Sequence, residues 1–263
     1  RLVRRYERVD LAADSESFSP TGDGQADTLR FRSGTGSSAG LLRWQLDIRD
    51  AEKRIVRTLA GTGALPSELA WDGLDDNRQP LPDGFYACQT SLFYESGNHP
   101  VSRQVFVEID KTPATVAVTP AYLEFSPNGD GKRDTIAFDH GTKGQAGDAV
   151  RVVIADRLGN PVLTRDWKLR EFPARFEWNG LDAAGQALPE GRYTYRVETT
   201  DKVGNKSRVA VSDILLKTGL EKVALEGDRG AISPGLPGET RRLVLLPTVT
   251  STNRIEKFEI GRA

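Results

Sequence analysis

The stretch Ser126-Pro127-Asn128-Gly129-Asp130-Gly131-Lys132-Arg133-Asp134 holds the best-organised set of oxygen side chains in the chain. Asn128, Asp130 and Asp134 stand at loop positions 1, 3 and 7. That spacing lets a tight turn fold round a hard cation. Gly129 and Gly131 would supply positive φ angles, and the carbonyl of Lys132 would be a further ligand. Calcium takes about six to eight oxygens, with backbone and water completing the set. Two carboxylates and one amide imply modest affinity, of the kind that suits extracellular calcium. The loop is not an EF-hand, because its flanks read as strands, Gly131 is misplaced and the closing Glu is missing. The same residues also suit a plain loop: Asn-Gly and Asp-Gly are favoured turn pairs, and Asp caps its own backbone amides.

A weaker copy lies upstream in Thr21-Gly22-Asp23-Gly24-Gln25-Ala26-Asp27, where both Asp positions survive and Thr21 replaces the Asn. A third, Gly235-Leu236-Pro237-Gly238-Glu239-Thr240-Arg241, keeps none of the three ligands. Catalytic constellations are missing from the sequence. The two histidines, His99 and His140, do not correspond between copies, so neither a Ser-His-Asp triad nor a zinc site is built from them. The paired carboxylates sit on one loop rather than across a cleft, as glycoside hydrolysis would need. No phosphate-cradling Gly loop is present.

These loops belong to a longer repeat. Phe18-Ser19-Pro20 returns as Phe125-Ser126-Pro127 and then as Ile232-Ser233-Pro234, 107 residues further each time. Trp71-Asp72-Gly73-Leu74-Asp75 returns as Trp178-Asn179-Gly180-Leu181-Asp182, and Leu81-Pro82-x-Gly84-x-Tyr86 as Leu188-Pro189-x-Gly191-x-Tyr193. A period this long is a whole domain, since solenoid units run about 20–50 residues. The register places the end of a preceding repeat at 1–4, full repeats at 5–111 and 112–218, and a partial, degenerate repeat at 219–263. The absence of Met reads as an internal slice of a longer protein.

The elements that must carry these loops are strands. Tyr193, Tyr195, Val197 and Thr199 alternate with Thr194, Arg196, Glu198 and Thr200. Val105, Val107 and Ile109 alternate likewise with Gln104, Phe106 and Glu108. This is the period of a strand with one face on a core. In the second repeat, strands are expected near 114–118, 134–139, 149–156, 161–166, 174–178, 191–200 and 207–217. Asp156 to Asn160 and Asp201 to Asn205 read as turns, the second matched in part by Ser96-Gly97-Asn98. Glu52 to Leu59 is tempting as a helix, but its counterpart contains Pro161, so both are read as strand. About seven short strands per repeat give an all-β fold of tandem immunoglobulin-like β-sandwiches.

Within that frame Trp71 and Trp178 are expected as buried anchors rather than sugar-stacking platforms. Asp72 and Asn179 cap the turn, while Asp75 and Asp182 hold it by hydrogen bonds. Cys88, the lone cysteine, shares the parity of Tyr86 and is read as a buried strand residue, not a reactive thiol. Net charge is −1, from 36 basic and 37 acidic residues, which steers the chain to neither nucleic acid nor an anionic membrane. No apolar stretch is long enough for direct membrane insertion in this segment.

Two family resemblances follow from these motifs. Phe125-Ser126-Pro127-Asn128-Gly129-Asp130-Gly131-x-x-Asp134 resembles the opening motif of gliding-motility-associated C-terminal domains and related bacterial surface repeats. Trp178-Asn179-Gly180-Leu181-Asp182-x-x-Gly185-x-x-Leu188-Pro189-x-Gly191-x-Tyr193-x-Tyr195 resembles the Ig-like domain of flagellar hook-capping proteins. The first repeat departs from the pattern at Thr21 and carries Asn77 and Arg78 near the place of Gly185. The resemblance implies an exported bacterial protein, extracytoplasmic at the cell surface or in the periplasm. The expected function is a non-catalytic structural or adhesive array that spaces or docks a larger protein, with calcium as its one candidate cofactor. The alternative is a carbohydrate- or protein-binding module of a cell-envelope or flagellar assembly. Expected partners are neighbouring repeats of the same chain, another protein or a surface glycan.

Overall fold

Alternation of apolar and polar residues requires each strand to bury one face, and two sheets must therefore meet face to face. The computed structural model describes residues 8–218, 222–227 and 245–250. Its first eight strands are β1 (Val9–Ala13), β2 (Ser17–Phe18), β3 (Leu29–Thr35), β4 (Leu41–Arg49), β5 (Ile55–Thr62), β6 (Glu68–Trp71), β7 (Gly84–Tyr94) and β8 (Val105–Ile109). They form a three-stranded sheet, β1-β3-β6, and a five-stranded sheet, β2-β8-β7-β4-β5. The second set is β9 (Thr115–Pro120), β10 (Glu124–Phe125), β11 (Ile136–Lys143), β12 (Ala149–Ala155), β13 (Pro161–Lys168), β14 (Arg175–Trp178), β15 (Gly191–Thr200) and β16 (Lys206–Leu216). Its sheets, β14-β11-β9 and β10-β16-β15-β12-β13, repeat the order of the first set strand for strand. The chain is thus all-β, with immunoglobulin-like β-sandwiches in tandem.

Each sandwich closes on its own core. In the first, Phe31, Leu46, Ile48, Cys88, Leu92, Val107 and Ile109 are fully buried; in the second, Phe138, Val152, Ile154, Tyr195, Ile214 and Leu216 are. Along β15 the expected parity holds, with Tyr193, Tyr195, Val197 and Thr199 all inward. Cys88 lies inward on β7, as expected, and burial pushes its thiol up to about 12. Such a thiol is inert at neutral pH.

Each sandwich has eight strands rather than about seven, because β2 and β10 span only two residues and are too short to show a period. Both run parallel to the last strand of their sheet, pairing Phe18 with Ile109 and Phe125 with Leu216. The sheet edge beside β8 and β16 is thereby covered. Residues 50–54 form a turn, closed by Asp50 N–H to the Arg54 carbonyl at 3.1 Å, and β5 begins only at Ile55. A one-turn 3-10 helix, Leu169–Glu171, was not expected and is held down by buried Leu169 and Phe172.

Pairing register follows the sequence period. Leu11 faces Ser33, Val118 faces His140 and Leu225 faces Pro247, each pair displaced by 107 at both members. The last pair joins β17 (Lys222–Gly227) to β18 (Leu245–Thr250). The expectations for 1–4 and for the 235–241 loop lie outside the described residues.

Candidate functional site

The opening motif and the Trp turn assemble into one cluster in each sandwich. Phe18 packs against Trp71 with ring centroids 5.3 Å apart, and Trp71 meets Tyr86 edge-on at 5.5 Å. In the second sandwich the same distances are 5.2 Å for Phe125 and Trp178 and 5.3 Å for Trp178 and Tyr193. Trp71 Nε1–H donates to the Leu74 carbonyl at 3.1 Å, and Trp178 Nε1–H to the Leu181 carbonyl at 2.9 Å. Tyr86 and Tyr193 donate their hydroxyls back to the carbonyls of Pro82 and Pro189 at 2.8 and 2.7 Å. That back-bond is the device of a tyrosine corner. Both tryptophans are buried, so they are anchors and unavailable for sugar stacking.

The turn itself is held by its acids. Asp75 Oδ1 accepts the amides of Asn77 and Gln79 at 2.8 and 2.7 Å, and Asp182 Oδ1 accepts those of Ala184 and Gln186, both at 2.8 Å. Arg78 adopts φ +63°, the conformation Gly185 takes freely at +79°. Its guanidinium reaches Asp72 Oδ2 at 2.9 Å.

The structure gathers the candidate metal-ligating residues, and their oxygens face amide hydrogens. Asp134 accepts Gly129 N–H and Gly131 N–H, both at 2.8 Å, one on each oxygen. Asp130 Oδ1 accepts the Lys132 amide at 2.7 Å, and Asn128 Oδ1 accepts the Asp130 amide at 3.0 Å. The remaining Asp130 oxygen faces Asn128 Nδ2 at 3.4 Å. The first loop repeats this closure: Asp27 accepts Gly22 N–H and Gly24 N–H at 2.6 and 2.7 Å, and Asp23 accepts the Gln25 amide at 2.8 Å. The Gly22 and Gly24 amides hold the Asp27 carboxyl below the usual carboxylate range. Thr21 stands exposed on the same loop. In both loops one carboxylate accepts two backbone amides of the turn, one on each oxygen, and each oxygen keeps a further lone pair. Among the described residues no group of three or more His, Cys, Asp or Glu is placed to hold a metal ion.

His140 has a structural post. Its Nδ1–H donates to the Pro173 carbonyl at 2.8 Å, a bond only that tautomer makes, and Nε2 accepts from the Tyr195 hydroxyl at 2.9 Å. The ring stacks on Phe172 at 4.4 Å. In the first sandwich Ser33 donates to the Pro66 carbonyl, so two residue types do one task at the same register. Burial lowers the basicity of the His140 imidazole. Free histidine titrates near pH 6.5, so between that value and the folded one the unfolded chain binds more protons. Stability of the second sandwich is therefore expected to fall as pH drops below about 6.5, while this contribution is absent from the first. Calorimetric scans at neutral and mildly acidic pH, with His140→Ser alongside, check it; an equal response of the two chains counts against the assignment.

Two features escaped the sequence reading. Phe85 and Phe106 lie outward on the adjacent strands β7 and β8, 65% and 62% exposed. Their counterparts are Arg192 and Asp213, which pair at 3.4 Å. The parity of β7 and β8 contained that signal. The other is a set of contacts between the sandwiches, centred on Asn205.

Fold and site together define an Ig-like sandwich repeat whose Trp turns are fastened by ring contacts and hydrogen bonds. A family model described as the FlgD Ig-like domain matches residues 130–202, beginning after Phe125–Gly129 of the opening motif. C5a peptidase of Streptococcus pyogenes is 31% identical over 140 residues, covering 47% of this chain and 11% of the peptidase. This chain thus spans a small part of the length of the curated relative it matches. Among solved structures, the fibronectin(III)-like modules of Clostridium thermocellum CbhA show 15% identity and a TM-score of 0.36, over 79% of this chain and 94% of theirs. A 1.5-MDa bacterial ice-binding adhesin shows 14% identity and a TM-score of 0.43, over 84% of this chain and 68% of its own. No helix among the described residues is long and apolar enough to cross a membrane.

Proposed function

We propose that this chain is a run of non-catalytic Ig-like modules, at 5–111 and 112–218 with a further one begun at 219–263, that space and dock a larger exported bacterial protein. Its place is extracytoplasmic, at the cell surface or in the periplasm. The observation that carries this reading is the joint between the sandwiches. Lys111 N–H and the Thr112 hydroxyl both bond Asp83 Oδ2, at 3.1 and 2.6 Å, and Lys111 Nζ reaches the Leu81 carbonyl at 2.7 Å. Two residues further on, the Ala114 carbonyl accepts from Thr199 of the second sandwich. A connection so short and tied at both ends restricts hinge motion, which a spacer needs and a catalytic cleft does not.

Solution scattering of the chain, with calcium and with chelator, tests the reading. An extended two-module profile is expected in both conditions, because the Lys111 and Thr112 contacts at the joint use none of the candidate calcium ligands. A compact particle would sink the spacer reading. A melting temperature that rises strongly with millimolar calcium would place a cation at Asn128, Asp130 and Asp134 and make the spacer calcium-stabilised.

A second reading, a protein- or glycan-binding module, is favoured by the exposed Phe85 and Phe106. Binding by the wild type that Phe85→Ser/Phe106→Ser abolishes would support it.

A further inference from the structure

The turn between β15 and β16, Asp201-Lys202-Val203-Gly204-Asn205, does more than join two strands. Asp201 organises it from inside: its Oδ1 accepts the amides of Val203 and Asn205 at 3.0 and 2.9 Å, and its Oδ2 accepts Asn205 Nδ2 at 2.7 Å. The turn then reaches the first sandwich. Ser19 Oγ donates to Asn205 Oδ1 at 2.5 Å, and Asn205 Nδ2 donates to the Asp110 carbonyl at 2.8 Å. Lys202 Nζ meets Glu108 Oε2 at 2.6 Å. A Cβ on Gly204 would come within 2.9 Å of Gln25 Oε1, so the backbone of the turn lies close over the 21–27 loop. Val203 is buried although it belongs to neither core.

The repeat supplies its own comparison. Ser19 and Ser126 occupy the same place in the same motif. Ser19, beneath the turn, is 2% exposed, whereas Ser126 is only half-buried, and Pro20 is half-buried where Pro127 is exposed. The Ser-Pro corner is therefore covered only where another module sits on it. The contacts are directional and part-buried, and an amide that both accepts and donates is hard to replace. Such contacts fix geometry rather than merely add area.

We propose that the modules dock by a plug and socket. The Asp201–Asn205 turn is the plug; Ser19-Pro20, the 21–27 loop and the end of β8 are the socket; Asn205 sets the angle between the sandwiches. The acidic loop closed by Asp27 thus serves to shape a receptor for the next module. This rests on the spacer reading and adds to it the residues that make the spacer stiff.

The test is NMR relaxation on the full chain, which reports whether the sandwiches tumble together. In the wild type both are expected to share one rotational correlation time. In Asn205→Ala each sandwich is expected to tumble separately, its correlation time falling by roughly half because about half the mass moves with it. Asn205 also supports its own turn, so Ser19→Ala/Glu108→Ala, which touches only the socket, is made in parallel with the same expected result. Wild-type sandwiches that already tumble independently would overturn the proposal, and so would both variants tumbling as one body. A common correlation time with a compact scattering profile would leave the lock standing and remove the spacer.

Discussion

Replacing Trp178 with alanine is expected to unfold the second sandwich well below the first. The indole is 2% exposed and packs on both Phe125 and Tyr193. Truncation leaves a cavity under the opening motif, and a buried Trp→Ala change costs about 3–5 kcal/mol. It also strips the Leu181 carbonyl of its indole donor. Set against a total domain stability of about 5–15 kcal/mol, that is a large fraction. At about 4–8 °C per kcal/mol for a domain of this size, the melting temperature should fall by more than about 10 °C. Differential scanning calorimetry would show a single sandwich shifting, with Trp71→Ala as the mirror experiment on the other. A shift of only a few degrees would mean that the Trp turn is peripheral to the core, contrary to the ring contacts.

That experiment separates what was legible in the sequence from what was not. The strand faces were readable because a period of two leaves Tyr193, Tyr195 and Val197 on one side whatever the tertiary context. The roles of Asp75 and Asp182 were also readable, since an Asp before a two-residue gap caps its own amides. The acidic loop was ambiguous for a physical reason. Spacing of the kind found at Asn128, Asp130 and Asp134 is shared by calcium loops and by loops that wrap a carboxylate in amides. The Gly129 and Gly131 N–H groups both turn to Asp134, a geometry that either kind of loop allows, so calcium titration is what separates them. The joint was hidden altogether. Asn205 reads as a turn residue, but its partners Asp110 and Ser19 lie 95 and 186 residues upstream, and no local pattern links them.

Why the Ser-Pro corner and the Trp-x-Gly turn travel together is answered by Gly73, and the answer can be measured. Gly73 sits at φ +74°, and a Cβ there would lie 2.5 Å from Pro20 Cγ and 3.6 Å from the Phe18 ring. Positive φ costs an L residue about 1–2 kcal/mol, and overpacking a rigid contact adds about 1–3 kcal/mol. Gly73→Ala is therefore expected to destabilise the first sandwich by about 2–5 kcal/mol in chemical denaturation. Gly185 provides the contrast. It has nearly the same backbone, φ +79°, but nothing within 4 Å of a Cβ, and the first sandwich tolerates Arg78 in that place. Gly185→Ala should cost only the backbone share, about 1–2 kcal/mol. The difference between the two is the Pro20 contact, and a double-mutant cycle isolates it. Pro20→Ala removes the Cγ that blocks the new methyl, so the Gly73→Ala/Pro20→Ala pair should recover part of the loss. Equal costs for Gly73→Ala and Gly185→Ala, or a double variant no better than the sum of its singles, would show that the corner yields. The two motifs would then be coupled through the Phe18–Trp71 rings alone.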